Sequence, residues 1–326
     1  MDNSRIVLVT TSHRVAPGLL SWGAWSVLRG ADRVWCGDPA HPQLPYLREA
    51  GIEVEIAVPD AHALVAACAE GAEGAKGVTV AVLVGGEGDR ALTDGLARLA
   101  GSGRTSVPDL ELLPGSYDLP GARMLDLVQI MDRIREECPW SSVPTHKDLA
   151  KYAIEEAYEL VEAIERGDRE ELREELGDVL LQVVFHARIA EEDPEEPFSV
   201  DDVAATIVEK LIHRHPHVFG DERAETPEDV RKIWLRTKAE EKRRGSVTDG
   251  VPLGQPGLAL AAKLASRVRS GGLDVALPTG RGVGYELLAL AVAADAEGID
   301  PEAALRSAAR AYYDTIRASE PPTPSA

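Results

Sequence analysis

The spacing of hydrophobic positions changes once along this chain, near residue 120. Before that point short apolar runs, RIVLVTT (5–11), DRVWCG (32–37), IEVEIAV (52–58), VTVAVLVGG (78–86) and LELLP (110–114), alternate with segments of helical period, GLLSWGAWSVLRGA (18–31), HALVAACAEGAEGA (62–75) and DRALTDGLARLAG (89–101). That alternation predicts an α/β layer with a mostly parallel sheet. From Leu125 to Lys242 the strand-like runs vanish and the 3.6-residue period takes over, which predicts helices throughout. GSVTDGVPLGQPG (245–257) predicts a linker, two or three further helices follow it, and SEPPTPSA (319–326) predicts a disordered tail. The expected organisation is therefore an α/β domain over 1–118, an all-α domain over 119–245 and a further helical module over 246–326.

The all-α segment carries the densest charge. Between Ile154 and Asp178, 11 of 25 residues are Asp or Glu, and the chain then turns apolar. Thr145 with Asp148 predicts a capping box that opens a helix. Leu149, Ala150, Ala153, Ile154, Ala157, Leu160, Val161 and Ile164 recur as one apolar stripe along it. With Ala157 at zero and about 100° per residue, Glu156 falls at about −100° and Glu159 at about −160°. Gly167 suits the left-handed position that ends a helix. Asp168, with Glu171 completing the box, suits the start of the next. So short a turn makes the two helices antiparallel neighbours. The second stripe is Leu172, Leu176, Val179, Leu180, Val183, Ala187 and Ala190. With Leu176 at zero, Glu175 and Asp178 repeat the offsets of about −100° and about −160°. Glu159 precedes Arg166 by seven residues and Glu175 follows Asp168 by seven, whereas Glu156 and Asp178 each lie ten away. Four carboxylates are thus expected on one side of the hairpin, Glu159 opposite Glu175 and Glu156 opposite Asp178. Like charges so arranged repel, and a hard divalent cation such as Mg²⁺ relieves the repulsion through carboxylate oxygens. A solvated acidic face is the other reading. It suits Glu162, Glu165, Glu170, Glu171 and Glu174, but does not account for two acid pairs that share offset and level.

Composition narrows the partners. A formal charge of −20 argues against nucleic acid. No apolar run is long enough to span a membrane, and MDNSRIVLV lacks the layout of a signal peptide. Cys36, Cys68 and Cys138 suggest neither a disulfide framework nor a zinc site, so a cytoplasmic location is expected. The glycines of VGGEGDR (Gly85, Gly86, Gly88) follow a strand without completing a dinucleotide fingerprint. A strand-to-helix turn is expected there rather than a phosphate cradle.

Glu-Glu-x-x-Glu (155–159) followed by Glu-Leu-Gly-Asp (175–178) resembles the MazG family of nucleoside triphosphate pyrophosphohydrolases. The resemblance runs over about residues 122–243 and includes CPW (138–140), KLIHRHPHVFG (210–220) and WLRTKAEEK (234–242). It implies an all-α, four-helix arrangement usually completed by a partner subunit, hence a homodimer. It also implies Mg²⁺-dependent cleavage of a nucleoside triphosphate between the α and β phosphates, in a nucleotide house-cleaning role. Glu156, Glu159, Glu175 and Asp178 match the family's metal ligands, and Glu155 matches a further acid that supports them. Lys210, Arg214, Trp234 and Lys238 match positions associated with the triphosphate and the nucleotide. Lys210 and Arg214 are four apart and so share a helix face. Thr226 and Pro227 suit the start of the helix that carries Trp234 and Lys238. Surface ion pairing is the plainer reading of the cations, and Trp234 fits a core aromatic as well as a stacking platform. His213, His215 and His217 straddle a proline and are read as structural, since imidazole suits zinc better than magnesium. Ser141 and Pro144 stand where the family often has Asp and Gln.

Two weaker likenesses flank this segment. RIVLVTTSHRVAPGLLSWGAWSVLRGADRVW (5–35) and LELLPGSYDLPGARMLDL (110–127) resemble parts of the tetrapyrrole methylase family, but TTSHRV replaces its glycine-rich first turn and the module is about half the usual length. A reduced scaffold is expected there rather than methyl transfer. VGYELLALAVAADAEG (283–298) echoes LGDVLLQVVFHARIAE (176–191), with Tyr285 in place of Asp178 and Gly282 in place of Glu175. It is read as a degenerate MazG-like module that packs rather than catalyses. Against the hydrolase stands a non-catalytic nucleotide- or partner-binding helical scaffold.

Overall fold

The computed structural model describes residues 4–57, 60–70, 77–86, 88–102, 108–241 and 245–320. By compactness the chain divides into two units, 1–206 and 207–326.

The first unit opens on a five-stranded parallel sheet. Strands β1 (Arg5–Thr11), β2 (Arg33–Cys36), β3 (Glu55–Ile56), β4 (Thr79–Gly85) and β5 (Asp109–Pro114) lie in the order β3-β2-β4-β1-β5. Helices α1 (Trp22–Gly30), α2 (Leu44–Glu49), α3 (Ala61–Glu70) and α4 (Arg90–Ser102) connect them. Parallel strands covered on both faces must be apolar at every position, which is why RIVLVTT and TVAVLVG read as continuous runs. Ile6, Leu8, Val80, Val82 and Val84 pack on one face with Leu64, Cys68, Leu92 and Leu96. Val7, Val9, Ala81 and Leu83 pack on the other with Ala24, Leu28, Leu44 and Leu47. The expected α/β layer is present. Two details differ from the sequence pattern. IEVEIAV contributes only Glu55 and Ile56, an edge strand paired with Trp35 and Cys36. Its end at residue 58 lies outside the described residues, as do 71–75 of the second helical segment and 321–326 of the tail. The helix α2 was not expected. Pro45 sits in its first turn, where a missing N–H costs nothing.

The glycine-rich turn after β4 serves α4. Gly88 has φ +75° and donates to the Gly85 carbonyl at 2.8 Å. Asp89 caps the helix through Leu92 N–H at 2.9 Å. TTSHRV ends β1 with Thr10 and Thr11, and its Arg14 is engaged elsewhere in the unit. Arg14 pairs with Asp118 and bonds both oxygens of Asp126, at 2.7 and 2.9 Å. Its guanidinium holds the Asp126 carboxyl far below the usual range.

Three long helices follow, α5 (Arg123–Glu137), α6 (His146–Arg166) and α7 (Arg169–Ala190). The caps are those the residues predict, with one exception. Asp148 accepts from Thr145 N–H at 2.9 Å, Gly167 is left-handed at φ +72°, and Asp168 accepts from Glu170 and Glu171 N–H at 2.9 and 3.1 Å. Glu171 does not close the second box; its carboxylate pairs with Arg166 at 3.3 Å. The core comprises Met131, Leu149, Val184 and Phe185, with Tyr152, Leu180, Leu181 and Ile189 against it. The stripes read from the sequence are only partly inside it. Ile154 is 59% exposed, Ile164 57%, Leu176 52% and Val183 42%. The hairpin core is covered by α5 and by Val200, and much of each stripe stays open in a single chain.

α8 (Val200–Arg214) runs across the division between the units. The second unit continues with α9 (Pro216–Phe219), α10 (Pro227–Glu241), α11 (Gly257–Ser270), α12 (Val283–Ala296) and α13 (Pro301–Ser319). Thr226 and Asp229 form the capping box that starts α10. Residues 245–256 are turns, the expected linker, and three helices follow as read. Among the described residues no helix is long and apolar enough to cross a membrane.

Candidate active site

The hairpin brings Glu156, Glu175 and Asp178 together, with one carboxylate oxygen of each within 4.8 Å of the other two. Helical spacing does this: 175 and 178 are one turn apart on α7, and the antiparallel turn sets Glu156 level with Asp178. Glu156 and Glu175 are half-buried. Burial pushes both carboxyls up, and the neighbouring carboxylates push further in the same direction. Asp178 is the charge that acts most on Glu156, whereas Glu159 acts most on Glu175. That ordering matches the levels deduced from the turn. Glu159 also hydrogen-bonds Glu156, and Glu155 is exposed and adds a weaker charge.

The donor set fits a hard cation. Glu175 Oε2 is buried without a hydrogen-bond partner, and every charge named above as acting on the cluster is negative. Buried polar atoms in folded proteins are normally satisfied, and all-oxygen carboxylate ligands are what Mg²⁺ takes.

Gln182, one turn beyond Asp178 on α7, lines a groove with His146 and His186, groups that the sequence reading passed over. His146 and His186 stack with ring centroids 5.1 Å apart and Nδ1 atoms 2.8 Å apart, so one ring donates and the other accepts. Burial and the charge of His146 lower the His186 pKa. Gln182 is buried beside them, its Oε1 also unpartnered. The available signal was a polar Gln and a polar His inside the apolar run LLQVVFHA, four and eight residues after Asp178.

The remaining expected residues fall in the second unit. Arg214 makes a two-point ion pair with Glu241, at 2.9 and 2.5 Å. Its guanidinium lies 5.6 Å from the Trp234 ring centre, and Lys238 Nζ lies 4.2 Å from it. Two cations thus lie against the Trp234 ring. Lys210 contributes a positive charge felt at Glu241. The Arg214 fork is occupied by a carboxylate, the plainer of the two readings for that cation. His215 Nδ1 is 2.7 Å from the Leu211 carbonyl at the end of α8, a structural contact. Gly282 has φ +130° and lies outside α12. The C-terminal echo therefore begins its helix after the position aligned with Glu175. Ser141 and Pro144 are the backbone acceptors of buried Arg135, at 2.5 and 3.1 Å. Arg135 also holds Glu192 at the end of α7 at 2.8 and 2.9 Å.

Comparison with known proteins gives these features a lineage. The MazG nucleotide pyrophosphohydrolase domain profile matches residues 144–219, which begin just before α6 and take in α7. An uncharacterized 26.1 kDa protein of Streptomyces cacaoi is 69% identical over 236 residues, 72% of this chain and 98% of that protein. A protein of Mycolicibacterium smegmatis named nucleoside triphosphate pyrophosphohydrolase is 44% identical over 227 residues, 69% of this chain and 65% of that protein. The nucleoside triphosphate pyrophosphohydrolase/pyrophosphatase MazG of Thermotoga maritima is 38% identical over 222 residues, 60% of this chain and 84% of that protein. With the acid hairpin inside the matched domain and the Thermotoga protein aligned over most of its length, the chain belongs to the MazG nucleotide pyrophosphohydrolase family.

Proposed function

We propose that the protein hydrolyses nucleoside triphosphates to nucleoside monophosphate and pyrophosphate with Mg²⁺, in nucleotide house-cleaning. Water adds to the α-phosphorus and the bond from that phosphorus to the α–β bridging oxygen breaks. Glu156, Glu159, Glu175 and Asp178 would hold the metal. When bound, Mg²⁺ neutralises phosphate oxygens and makes a water more acidic. The observation that carries the reading is the three-carboxylate cluster with Glu175 Oε2 buried and unpaired. The upward push on Glu156 and Glu175 marks carboxylates crowded by one another, a repulsion that a bound divalent cation would relieve. Glu155, next to Glu156 and exposed, supports the cluster. Lys210, Arg214 and Lys238 offer fixed positive charge for a triphosphate, and Trp234 a face for a base; for Arg214 this requires release from Glu241.

The same reading keeps 1–118 as the reduced α/β domain, 119–245 as the catalytic four-helix domain and 246–326 as the degenerate module. It makes the working form a cytoplasmic homodimer, supported by the exposed apolar positions of α6 and α7. A panel of ribo- and deoxyribonucleoside triphosphates, assayed for pyrophosphate with Mg²⁺ and with a chelator, tests it. Metal-dependent pyrophosphate with equimolar monophosphate is expected. Orthophosphate as the first product, or no turnover across the panel, overturns it in favour of a binding scaffold.

A further inference from the structure

In open α/β sheets the space beyond the carboxyl ends of the strands is where ligands bind. In this protein the residues just beyond β1 are engaged by α5. His13 Nε2 lies 2.7 Å from Asp126 Oδ1. Arg14 donates through Nε and Nη2 to the two Asp126 oxygens and through Nη1 to Asp118. Arg123 donates to the same Asp126 carboxylate at 3.0 Å. The Arg14 side chain is 12% exposed and that of Asp126 25%, which sets this contact apart from a solvated surface pair. A two-point guanidinium–carboxylate contact fixes orientation as well as distance. Asp126 lies in the first turn of α5, so this clasp joins the α/β layer to that helix.

Two further ion pairs set where the clasped turn sits. Asp132 pairs with Arg188 at 2.9 Å and Arg135 with Glu192 at 2.8 Å. Arg188 follows Asp132 by 56 residues and Glu192 follows Arg135 by 57, so α5 and α7 run parallel with a constant offset. The same offset sets Asp126 level with residues 182–183, about 6 Å along the axis from Asp178 at the helical rise. Leu127 and Val128 of α5 share one core with Leu180, Leu181 and Val184 of α7. The clasp therefore holds the end of α5 that packs beside the acid-bearing turns of α7.

Without a cation the carboxylates of the cluster repel one another, which favours any motion of α7 that separates them. Through the shared core α5 braces α7 against that motion, and the sheet braces α5 through Arg14. We infer that Arg14 is a positioning residue for the metal: by gripping Asp126 it sets α5 against α7 and so holds Glu175 and Asp178 in place for a divalent cation. The α/β layer then serves the hydrolase without a ligand of its own. Holding Glu175 and Asp178 for a cation presupposes the metal reading of the cluster.

The full chain carries the test, with Mg²⁺ as the probe. Calorimetry and the gain in melting temperature measure Mg²⁺ binding, and pyrophosphate release is followed against Mg²⁺ concentration. Arg14→Met and Asp126→Asn should each raise the Mg²⁺ Kd by on the order of tenfold, the low end of what outer partners of a metal site contribute. kcat at saturating Mg²⁺ should hold, because the ligands are intact. The two changes together should weaken binding no more than either alone, since they remove one contact. They also separate positioning from a general field. One removes a positive charge and the other a negative charge, so a field effect moves Mg²⁺ affinity in opposite directions, whereas positioning weakens it in both. Arg14→Lys keeps the charge without the two-point grip; it should fall between, and it carries the test if Arg14→Met does not fold. Unchanged Mg²⁺ affinity in the folded variants, with or without a lower melting temperature of the metal-free protein, overturns the inference and leaves the clasp a docking contact. Shifts in opposite directions overturn it as well. Wild type that binds Mg²⁺ no more tightly than Asp178→Asn removes the metal reading and this inference with it, an outcome seen before any clasp variant is measured.

Discussion

Asp178 separates the metal reading from the solvated-face reading. Asp178→Asn keeps size and shape but removes one anionic ligand from the cluster. Turnover should fall by on the order of a hundredfold or more. The metal-free variant should melt no lower than wild type, because carboxylate repulsion is relieved, and its gain on adding Mg²⁺ should shrink. Unchanged turnover and an unchanged gain would remove these residues from the site. The raised carboxyls give a second expectation. Glu156 and Glu175 hold protons more tightly folded than unfolded. Their contribution to stability is full below the ordinary carboxylate pKa and is lost as pH rises through their folded values. Mg²⁺ binds the deprotonated forms, so its gain in melting temperature should grow as pH rises from about 4. Paired melting curves with Mg²⁺ and with chelator isolate this effect from Asp126, Asp148 and Glu192, which are shifted the other way. A gain that does not vary with pH would contradict it.

At the level of the element, two glycines of one hairpin should respond in opposite directions. Gly167 ends α6 at φ +72° with nothing near its missing Cβ, so Gly167→Ala costs backbone strain alone, about 1 kcal/mol. Gly177 lies inside α7, and a Cβ there also meets nothing within 4 Å. Gly177→Ala should therefore stabilise the isolated chain by about 0.5–1 kcal/mol. Urea unfolding of the metal-free protein measures both. Loss of stability in Gly177→Ala would mean that another chain occupies the space. The hairpin was legible because its caps are local: a residue and its neighbours decide Gly167 and Asp168. The Glu171 cap was misread because Arg166, across the turn, competes for its carboxylate.

For the whole molecule, the exposed residues of the apolar stripes set the expectation. A homodimer through residues 122–243 should appear by light scattering at micromolar concentration. Ile164→Asp, at a position 57% exposed in the single chain, should convert it to monomer without lowering the stability of the chain itself. A wild-type monomer would count against this. Since Gly282 stands outside α12 where Glu175 stands inside α7, the C-terminal module has no matching acid to offer. A fragment of residues 119–250 should keep pyrophosphate release if it dimerises. A soluble, dimeric, inactive fragment would show that the central segment needs the rest of the chain, to which Arg14 ties α5 through Asp126.

Sequence alone determined what depends on period and local chemistry. It carried the parallel sheet, because strands covered on both faces must be apolar at each position. It carried the hairpin and the meeting of Glu156, Glu175 and Asp178, because helical rise and the two-residue turn Gly167–Asp168 leave the register little freedom. Tertiary structure decided what depends on which surfaces meet. The core of the hairpin runs through Leu149, Tyr152, Val184 and Phe185, while Ile154, Ile164 and Leu176 stay open. An amphipathic pattern records that a face is to be covered, not by what. The pairing of Arg214 with Glu241, 27 residues apart, was outside the reach of spacing rules for the same reason. So was the seating of Gln182 and two histidines in one groove. Such contacts are chosen by packing between elements, and only the folded chain brings their partners together.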